Sequence, residues 1–253
     1  MLITVLDKDA FDAETMGEAP PQEVGLTQSL TFDAKVEKEI LVVGEGAKTP
    51  ALNAVVTVVY KAYFFDHHEF DSSKGQPVKL SVGDLAWPEG LSKGLQAMRK
   101  NEKAKIRIKN KKYGYGRKEN REALKFPPGY EALPEGSETN PQHEAARQRL
   151  LTKGIIYEVT LLDWIDRTDL DADKNFLKAV ITAAPKKNWE KPTDRDEVIF
   201  NLRATLCTSD PSLGETESIE IHHREAWSTH MLDDNITITL GKILSTMRLG
   251  EKA

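Results

Sequence analysis

The sequence predicts an α+β fold built from several short strands and one short helix, and three segments carry this prediction. Residues 55–60 are β-branched or aromatic throughout, which is typical of a strand. Residues 103–111 alternate between basic and apolar side chains, the period-two pattern of a strand with one face in water. Between these strands, Leu91, Leu95 and Met98 recur at the spacing of a helix. Sheet and helix are therefore expected to share one core.

The other strands of this stretch are predicted from apolar runs that end at turn residues. Residues 36–43 are apolar enough for a strand and are followed by the turn sequence Gly44-Glu45-Gly46. A short strand is expected at 79–82, before Gly83 and Asp84. The last is expected at 155–162, where apolar residues alternate.

The chain is expected to divide into a leader and two domains. Residues 1–30 carry scattered apolar positions and are expected to be a loosely ordered leader, with one candidate strand at 2–6. The first domain is expected at 31–170 and the second at 171–253, because the acidic stretch at 163–174 breaks the strand pattern.

The loop at 117–154 is an insert of 38 residues, far longer than an ordinary connection of about 4 to 6 residues. A loop of this length is expected to be functional or mobile. One helix is predicted inside it over 144–151, because Asn140 before Pro141 is a favourable pair for a helix start.

The composition is that of a soluble globular protein with a formal charge of −5 among 253 residues. A single cysteine, Cys207, excludes an internal disulfide framework and suits the cytoplasm. No apolar run reaches the roughly 18 residues of a membrane-spanning helix, so no membrane partner is expected. The adjacent histidine pairs at 67–68 and 222–223 would point to opposite faces of a strand, so neither metal nor cofactor is expected.

The basic strand at 103–112 has two interpretations. It could be a stripe that contacts nucleic acid, or it could be the solvated face of the sheet. With a negative net charge and no aromatic residue interleaved before Tyr113, the solvated face is favoured and no nucleic acid is expected as a partner.

An internal repeat links the two predicted domains. Residues 98–104, MRKNEKA, recur as residues 247–253, MRLGEKA, with five of seven positions identical. Upstream, Lys38-Glu39-Ile40-Leu41 finds a parallel in Lys178-Ala179-Val180-Ile181. The second copy is therefore expected to be a related but incomplete or degenerate unit.

Several motifs of the first domain occur in a characteristic order. They are Tyr60, Phe70-Asp71-Ser72-Ser73 ten residues later, Gly75-Gln76-Pro77, Gly90-Leu91, Met98, Glu102-Lys103-Ala104-Lys105 and Tyr113-Gly114-Tyr115-Gly116. In this order and spacing, residues 31–164 resemble an FKBP-type peptidyl-prolyl cis-trans isomerase domain. Residues 175–253 resemble the start of another such domain, as in the large multi-domain immunophilins.

The resemblance implies a curved antiparallel sheet wrapped around a short helix, with an aromatic pocket between them that receives a proline. Asp71, Tyr60 and Tyr115 fall where the family has its catalytic groups. The resemblance implies that Asp71 braces Tyr60 and that Tyr115 donates to a substrate carbonyl. The substrate-binding positions are Phe70, Val78, Trp87, Pro88, Leu91 and Tyr157. Judged without the family, the aromatic residues are ordinary core candidates, and Asp71 could equally be a turn or cap residue.

Three of these positions depart from the pattern of active members. Leu91 stands where a tryptophan usually forms the pocket floor, and Val78 replaces an aromatic wall. Pro88 has no backbone N–H, so a donor that active members offer to a bound carbonyl is missing. The departures predict weak or absent activity.

Two functions from different classes follow. One is an isomerase that acts on X-Pro bonds of proline-containing protein or peptide clients. The alternative is a catalytically silent co-chaperone or scaffold, with a possible chaperone partner bound through a tail beyond Ala253.

Overall fold

The computed structural model describes residues 22–131, 141–171, 176–207, 218–231, 233 and 237–253. The candidate strand at 2–6 and the capping residue Asn140 lie outside these residues. The chain forms two compact units. The first comprises the described parts of 1–49, 59–76 and 85–162, and the second comprises those of 50–58, 77–84 and 163–253.

A seven-stranded sheet is the main element of the fold. Its strands are β1 (Thr27–Ser29), β2 (Val36–Val42), β3 (Val55–Phe64), β4 (Glu69–Ser72), β5 (Val78–Ser81), β6 (Lys103–Ile108) and β7 (Ile155–Ile165). They lie in the order β1-β2-β6-β7-β3-β4, and β5 pairs with β3. The pairs β1–β2, β2–β6, β6–β7, β3–β4 and β3–β5 are antiparallel. The predicted α+β fold with an antiparallel sheet is confirmed.

The observed strands extend or shorten some of the predicted ones. β3 continues to Phe64, and β6 ends at Ile108 because Asn110 caps a short 3₁₀ turn, its side-chain oxygen accepting from the Lys112 N–H at 3.0 Å. Two strands of this sheet, β1 and β4, were not predicted. β1 lies in the segment expected to be a loose leader, where it pairs with β2.

Helix α1 (Glu89–Gln96) packs against the sheet through its buried residues Leu91 and Leu95. Its two glycines permit a close approach to β6, because a Cβ at Gly90 would lie 2.7 Å from the side chain of Ile108, and one at Gly94 would collide with Ile106. The predicted helix of the insert is also present, as α2 (Pro141–Thr152).

The basic residues of β6 pair with acidic residues of the neighbouring strands. Lys103 contacts Glu158 at 2.5 Å, and Arg107 contacts Glu39 at 2.6 Å. All four of these side chains are partly exposed. This is the arrangement expected for the solvated face of a sheet.

A buried ion pair lies between the sheet and the end of α1. The Lys38 ammonium is 2.8 Å from the Glu102 carboxylate, and both side chains are almost inaccessible to solvent. Lys38 also donates to the carbonyl of Ala97, the residue that ends α1. Glu102 accepts from the Arg99 N–H and from the Gln22 side chain, each at 2.8 Å. One ion pair thus joins β2, α1 and the turn before β6.

The second unit contains the hairpin of β8 (Arg167–Asp169) and β9 (Leu177–Ala179). It also contains the longer hairpin of β10 (Glu197–Cys207) and β11 (Ser218–His230), and helix α3 (Ile238–Thr246). Lys178 forms a buried ion pair with Glu251, and its Nζ donates to the carbonyl of Thr246 at 3.1 Å. In the sequence repeat, these residues align with Lys38, Glu102 and Ala97, which make the corresponding contacts in the first unit.

None of the helices in the described part of the chain is long and apolar enough to cross a membrane. Among the same residues, no three His, Cys, Asp or Glu side chains are grouped so that they could hold a metal ion.

The buried pair gives a testable expectation for stability. Glu102→Gln keeps the shape of the side chain but leaves the Lys38 charge buried without a partner, which costs about 3–5 kcal/mol of unfolding free energy. Urea-dependent amide hydrogen exchange in β2 and β6 measures this cost. Glu89→Gln is the matched control, because the exposed Glu89–Lys93 pair should contribute less than about 0.5 kcal/mol. Equal costs for the two variants would contradict the assigned role of Glu102.

Candidate functional site

The site is a cluster of aromatic side chains supplied by three strands and one loop of the first unit. β3 carries Tyr60, β4 carries Phe70, β7 carries Tyr157, and Tyr115 follows the 3₁₀ turn after β6. The ring centroids of Tyr60 and Tyr157 lie 6.0 Å apart, and that of Phe70 lies 6.4 Å from Tyr115. All four residues are at most 8% exposed. The structure therefore brings together four of the positions singled out in the sequence.

Asp71 is the carboxylate of this cluster. The Tyr60 hydroxyl donates to its Oδ2 at 3.0 Å, and the Ser72 N–H donates to Oδ1 at 2.8 Å. The antiparallel pairing of β3 and β4 brings these groups together, and Ser73 reinforces it by exchanging hydrogen bonds with the backbone of Tyr60. The two serines of the Phe-Asp-Ser-Ser motif therefore hold the carboxylate against the tyrosine.

Partial burial makes the charged form of Asp71 less favourable than it would be in water. Burial raises the pKa of this carboxyl above its ordinary value of 3.8, and the hydrogen bonds from Tyr60 and Ser72 oppose that rise only in part. Burial, reinforced by the nearby Asp71 charge, also raises the pKa of the Tyr60 hydroxyl. Tyr60 therefore remains a neutral hydrogen-bond donor to the carboxylate at neutral pH.

The hydroxyl of Tyr115 contacts another residue of the cluster. It lies 3.0 Å from the Tyr157 hydroxyl, within hydrogen-bond distance. Burial raises the pKa of both groups. In this structure, then, the group expected to meet a substrate carbonyl is paired inside the cluster.

Of the three predicted positions around the start of α1, Trp87 contacts the cluster. The Trp87 ring stands edge-on to Tyr60, with centroids 5.8 Å apart. Pro88 is the N-cap residue of α1 and accepts from the Leu91 N–H at 3.0 Å, while Leu91 is 1% exposed. Val78 lies on β5, in the second unit, in register with Val58 of β3.

The structure adds two aromatic residues of the insert that the sequence analysis missed. Phe126 packs on Tyr115 with centroids 5.5 Å apart. Tyr130 packs on Phe70 and Phe64, at 6.0 and 6.3 Å. Their signal in the sequence is the short run Phe126-Pro127-Pro128-Gly129-Tyr130, in which two aromatic residues flank a predicted turn.

Arg117, at the start of the insert, is the second feature that was missed. Its buried guanidinium donates to the carbonyls of Leu85 and Trp87. Nearby, the Lys125 N–H donates to the carbonyl of Ala86 at 3.0 Å. Together these bonds hold the first part of the insert against the loop that precedes α1.

Chemically, the arrangement is an apolar aromatic cluster that contains one carboxylate braced by a tyrosine. Such a surface suits the binding of a flat, weakly polar group such as a proline ring, since rings pack on rings and polar groups outside the ring can meet the hydroxyls. The carboxylate can place negative charge beside the carbonyl of a bound imide.

Comparison with known proteins agrees with this geometry. Residues 46–162 match the family model of FKBP-type peptidyl-prolyl cis-trans isomerases. The crystal structure of the three FKBP domains of wheat FKBP73 aligns with 89% of this chain and 82% of its own, with 19% identity and a TM-score of 0.61. At this identity the likeness shows the fold, and it extends beyond residues 46–162.

Two more distant structures are also similar. A multi-domain immunophilin from Arabidopsis thaliana has 23% identity over 60% of this chain and 49% of its own, with a TM-score of 0.39. FkpA from Escherichia coli has 21% identity over 56% of this chain and 53% of its own, with a TM-score of 0.37. The resemblance recognised in the sequence motifs is confirmed by the family match and the wheat structure.

The raised pKa of Asp71 predicts how stability depends on pH. A carboxyl with a folded-state pKa above 3.8 stabilises the fold fully below that pH, and this stabilisation is lost as the pH rises through the raised value. Asp71→Asn removes the buried charge, so we expect a higher unfolding free energy than in the unsubstituted chain at neutral pH. The difference should vanish below pH 3.8. Urea unfolding of both proteins at the two pH values measures it, and a difference independent of pH would refute the assignment.

Proposed function

We propose that residues 46–162, which match the family model of FKBP-type peptidyl-prolyl cis-trans isomerases, bind X-Pro segments of protein clients and accelerate their cis/trans exchange weakly. The observation that carries this proposal is the 3.0 Å contact between the Tyr60 hydroxyl and Asp71 inside the aromatic cluster. It provides a braced carboxylate beside rings that can receive a proline.

The reaction needs no covalent step. Rotation about the X-Pro bond is opposed by amide resonance, with a barrier of about 18–20 kcal/mol. Water favours the polar, resonance-stabilised form, so moving the imide among the rings of Tyr60, Phe70 and Tyr157 weakens that resonance. The Asp71 carboxylate then stabilises the positive charge that develops at the carbonyl carbon as the bond twists.

Two features explain why the proposed activity is weak. Pro88 lacks the backbone N–H that could have bonded to a carbonyl of the client, so one stabilising contact is absent by covalent structure. The aromatic residues also contact one another. The hydroxyls of Tyr115 and Tyr157 lie within hydrogen-bond distance, and the Trp87 ring stands edge-on to Tyr60. A client must displace some of these contacts before it binds.

A second candidate function is a silent binding module within a multi-domain immunophilin. It is favoured by the closed cluster and by Pro88 at the N-cap of α1. In that case, the domain contacts partner proteins through its surface, and the aromatic cluster is simply its core. The cytoplasmic location stays a prediction from the single cysteine.

Exchange NMR of X-Pro peptides with the full chain separates the two functions. If the domain is an isomerase, Asp71→Ala should lower the exchange rate by about 10- to 100-fold, the effect of losing one hydrogen-bonded charge. Tyr115→Phe should lower it less, since the ring is kept. Asp194→Ala, at an exposed position of the second unit, is the matched control and should leave the rate unchanged.

The opposite result has a clear meaning. If the folded, unsubstituted chain gives no acceleration with any peptide that bears an apolar residue before proline, the isomerase proposal is wrong and the binding module stands. If acceleration is present but Asp71→Ala retains it, the proposed role of the carboxylate is wrong.

A further inference from the structure

The segment 124–130, hereafter the strap, lies directly on the aromatic cluster. Its Phe126 ring packs on Tyr115, and its Tyr130 ring packs on Phe70 and Phe64. Between these rings in the sequence lies Pro127, which is itself buried. The strap thus contacts the side chains that the proposed function assigns to the client.

The strap is the outer of two layers. The inner rings of Tyr115, Phe70 and Tyr157 are 1%, 8% and 0% exposed, whereas Phe126 and Tyr130 keep part of their surface in solvent. Phe126 and Tyr130 therefore form the solvent side of the packed rings, and Tyr115 and Phe70 lie beneath them.

The strap is fastened at both sides by polar and cationic contacts. Before the strap, the Arg117 guanidinium donates to the carbonyls of residues 85 and 87, and within it the Lys125 N–H donates to the carbonyl of Ala86. From helix α2, the Arg147 guanidinium lies 5.6 Å from the centre of the Phe126 ring. A cation–π contact is modest at a surface, so this one holds the ring in place without locking it.

The local backbone of the strap is a tight turn. The Tyr130 N–H donates to the Pro127 carbonyl at 3.0 Å, and Gly129 has φ +84°, in the region that favours glycine. The turn directs Phe126 and Tyr130 toward the same cluster. The bond before Pro127 is moreover an X-Pro bond with an apolar X residue, the general chemistry of a client.

We infer that the strap is an intramolecular occupant of the X-Pro site and that a client must displace it. This inference rests on the proposed function, because it assigns to the strap the same surface as the client. An occupant differs from a permanent wall of the pocket in its effect on the client. A wall improves client binding, whereas an occupant competes with the client for the same surface. Removing the strap's rings should therefore raise activity.

The test uses the full chain labelled with 3-fluorotyrosine. The variants are Phe126→Ala/Tyr130→Ala and, as a control for the loss of an aromatic ring, Phe32→Ala, whose side chain is fully exposed. Two quantities are measured. One is the ¹⁹F solvent isotope shift of Tyr115, which reports exposure of the ring without any need for activity. The other is the X-Pro exchange rate.

The expected result is that Tyr115 gains a solvent isotope shift close to that in the urea-unfolded chain, and that the exchange rate rises about tenfold or more. A tenfold change corresponds to the loss of one or two aromatic contacts of ordinary strength. The control should change neither quantity. If Tyr115 becomes exposed but no exchange activity is detected, the strap does cover the aromatic cluster, and the isomerase proposal is wrong.

If Tyr115 stays protected, or if the exchange rate falls while Tyr115 becomes exposed, the strap is a wall and the inference is overturned. Arg117→Lys provides a second variant that leaves every ring in place, in case the double variant does not fold. It removes the paired donation to the carbonyls of Leu85 and Trp87, so it should change the two quantities in the same direction and to a smaller extent.

Discussion

The buried pair of Lys38 and Glu102 is the interaction on which the first unit depends. Two charges taken out of water carry a desolvation cost of several kcal/mol each, so the fold must supply every partner they need. Those partners come from separate elements: β2 provides the lysine, the end of α1 provides the Ala97 carbonyl, and the turn before β6 provides the carboxylate and the Arg99 N–H. Because these groups must meet the two charges, the position of α1 on the sheet is fixed. Trp87, whose ring stands against Tyr60, directly precedes the N-cap residue Pro88, so the position of α1 also bears on one side of the aromatic cluster.

The same constraint occurs in the second unit without the site. Lys178, Glu251 and the Thr246 carbonyl repeat the first arrangement around α3. At the position that aligns with Tyr60, however, the second copy has Leu202, and the Phe-Asp-Ser-Ser element has no counterpart there. A leucine cannot brace a carboxylate. The ion pair and the aromatic cluster are therefore separable, one belonging to the architecture and the other to the chemistry proposed for the first unit.

The sequence predicted the inner layer of the site but not its outer layer, for a physical reason. Tyr60, Phe70, Asp71, Tyr115 and Tyr157 were singled out by the resemblance to a known family, whose motifs occur in the same order on strands or beside short turns. Phe126 and Tyr130 lie in a long insert without periodicity, where only tertiary packing decides which surface a ring meets. β1 was missed because Thr27–Ser29 has no apolar residue and is defined by its pairing with β2. Lys38 was recognised as part of a repeat, but a lysine on the buried face of a strand has no signature in local propensity.

The site combines features that argue in opposite directions when each is taken alone. A carboxylate kept in a buried aromatic cluster lowers stability at neutral pH, so its presence favours a use beyond packing. The missing N–H donor at Pro88 and the packing of the aromatic rings on one another favour a domain without isomerase activity. A strap that occupies the site in the resting state reconciles them, because a covered site is closed by its own chain and still has its charge in place. On this view, the burial of Tyr115 and Phe70 depends in part on the strap, and the chemistry depends on Tyr60 and Asp71, which a 3.0 Å hydrogen bond holds together.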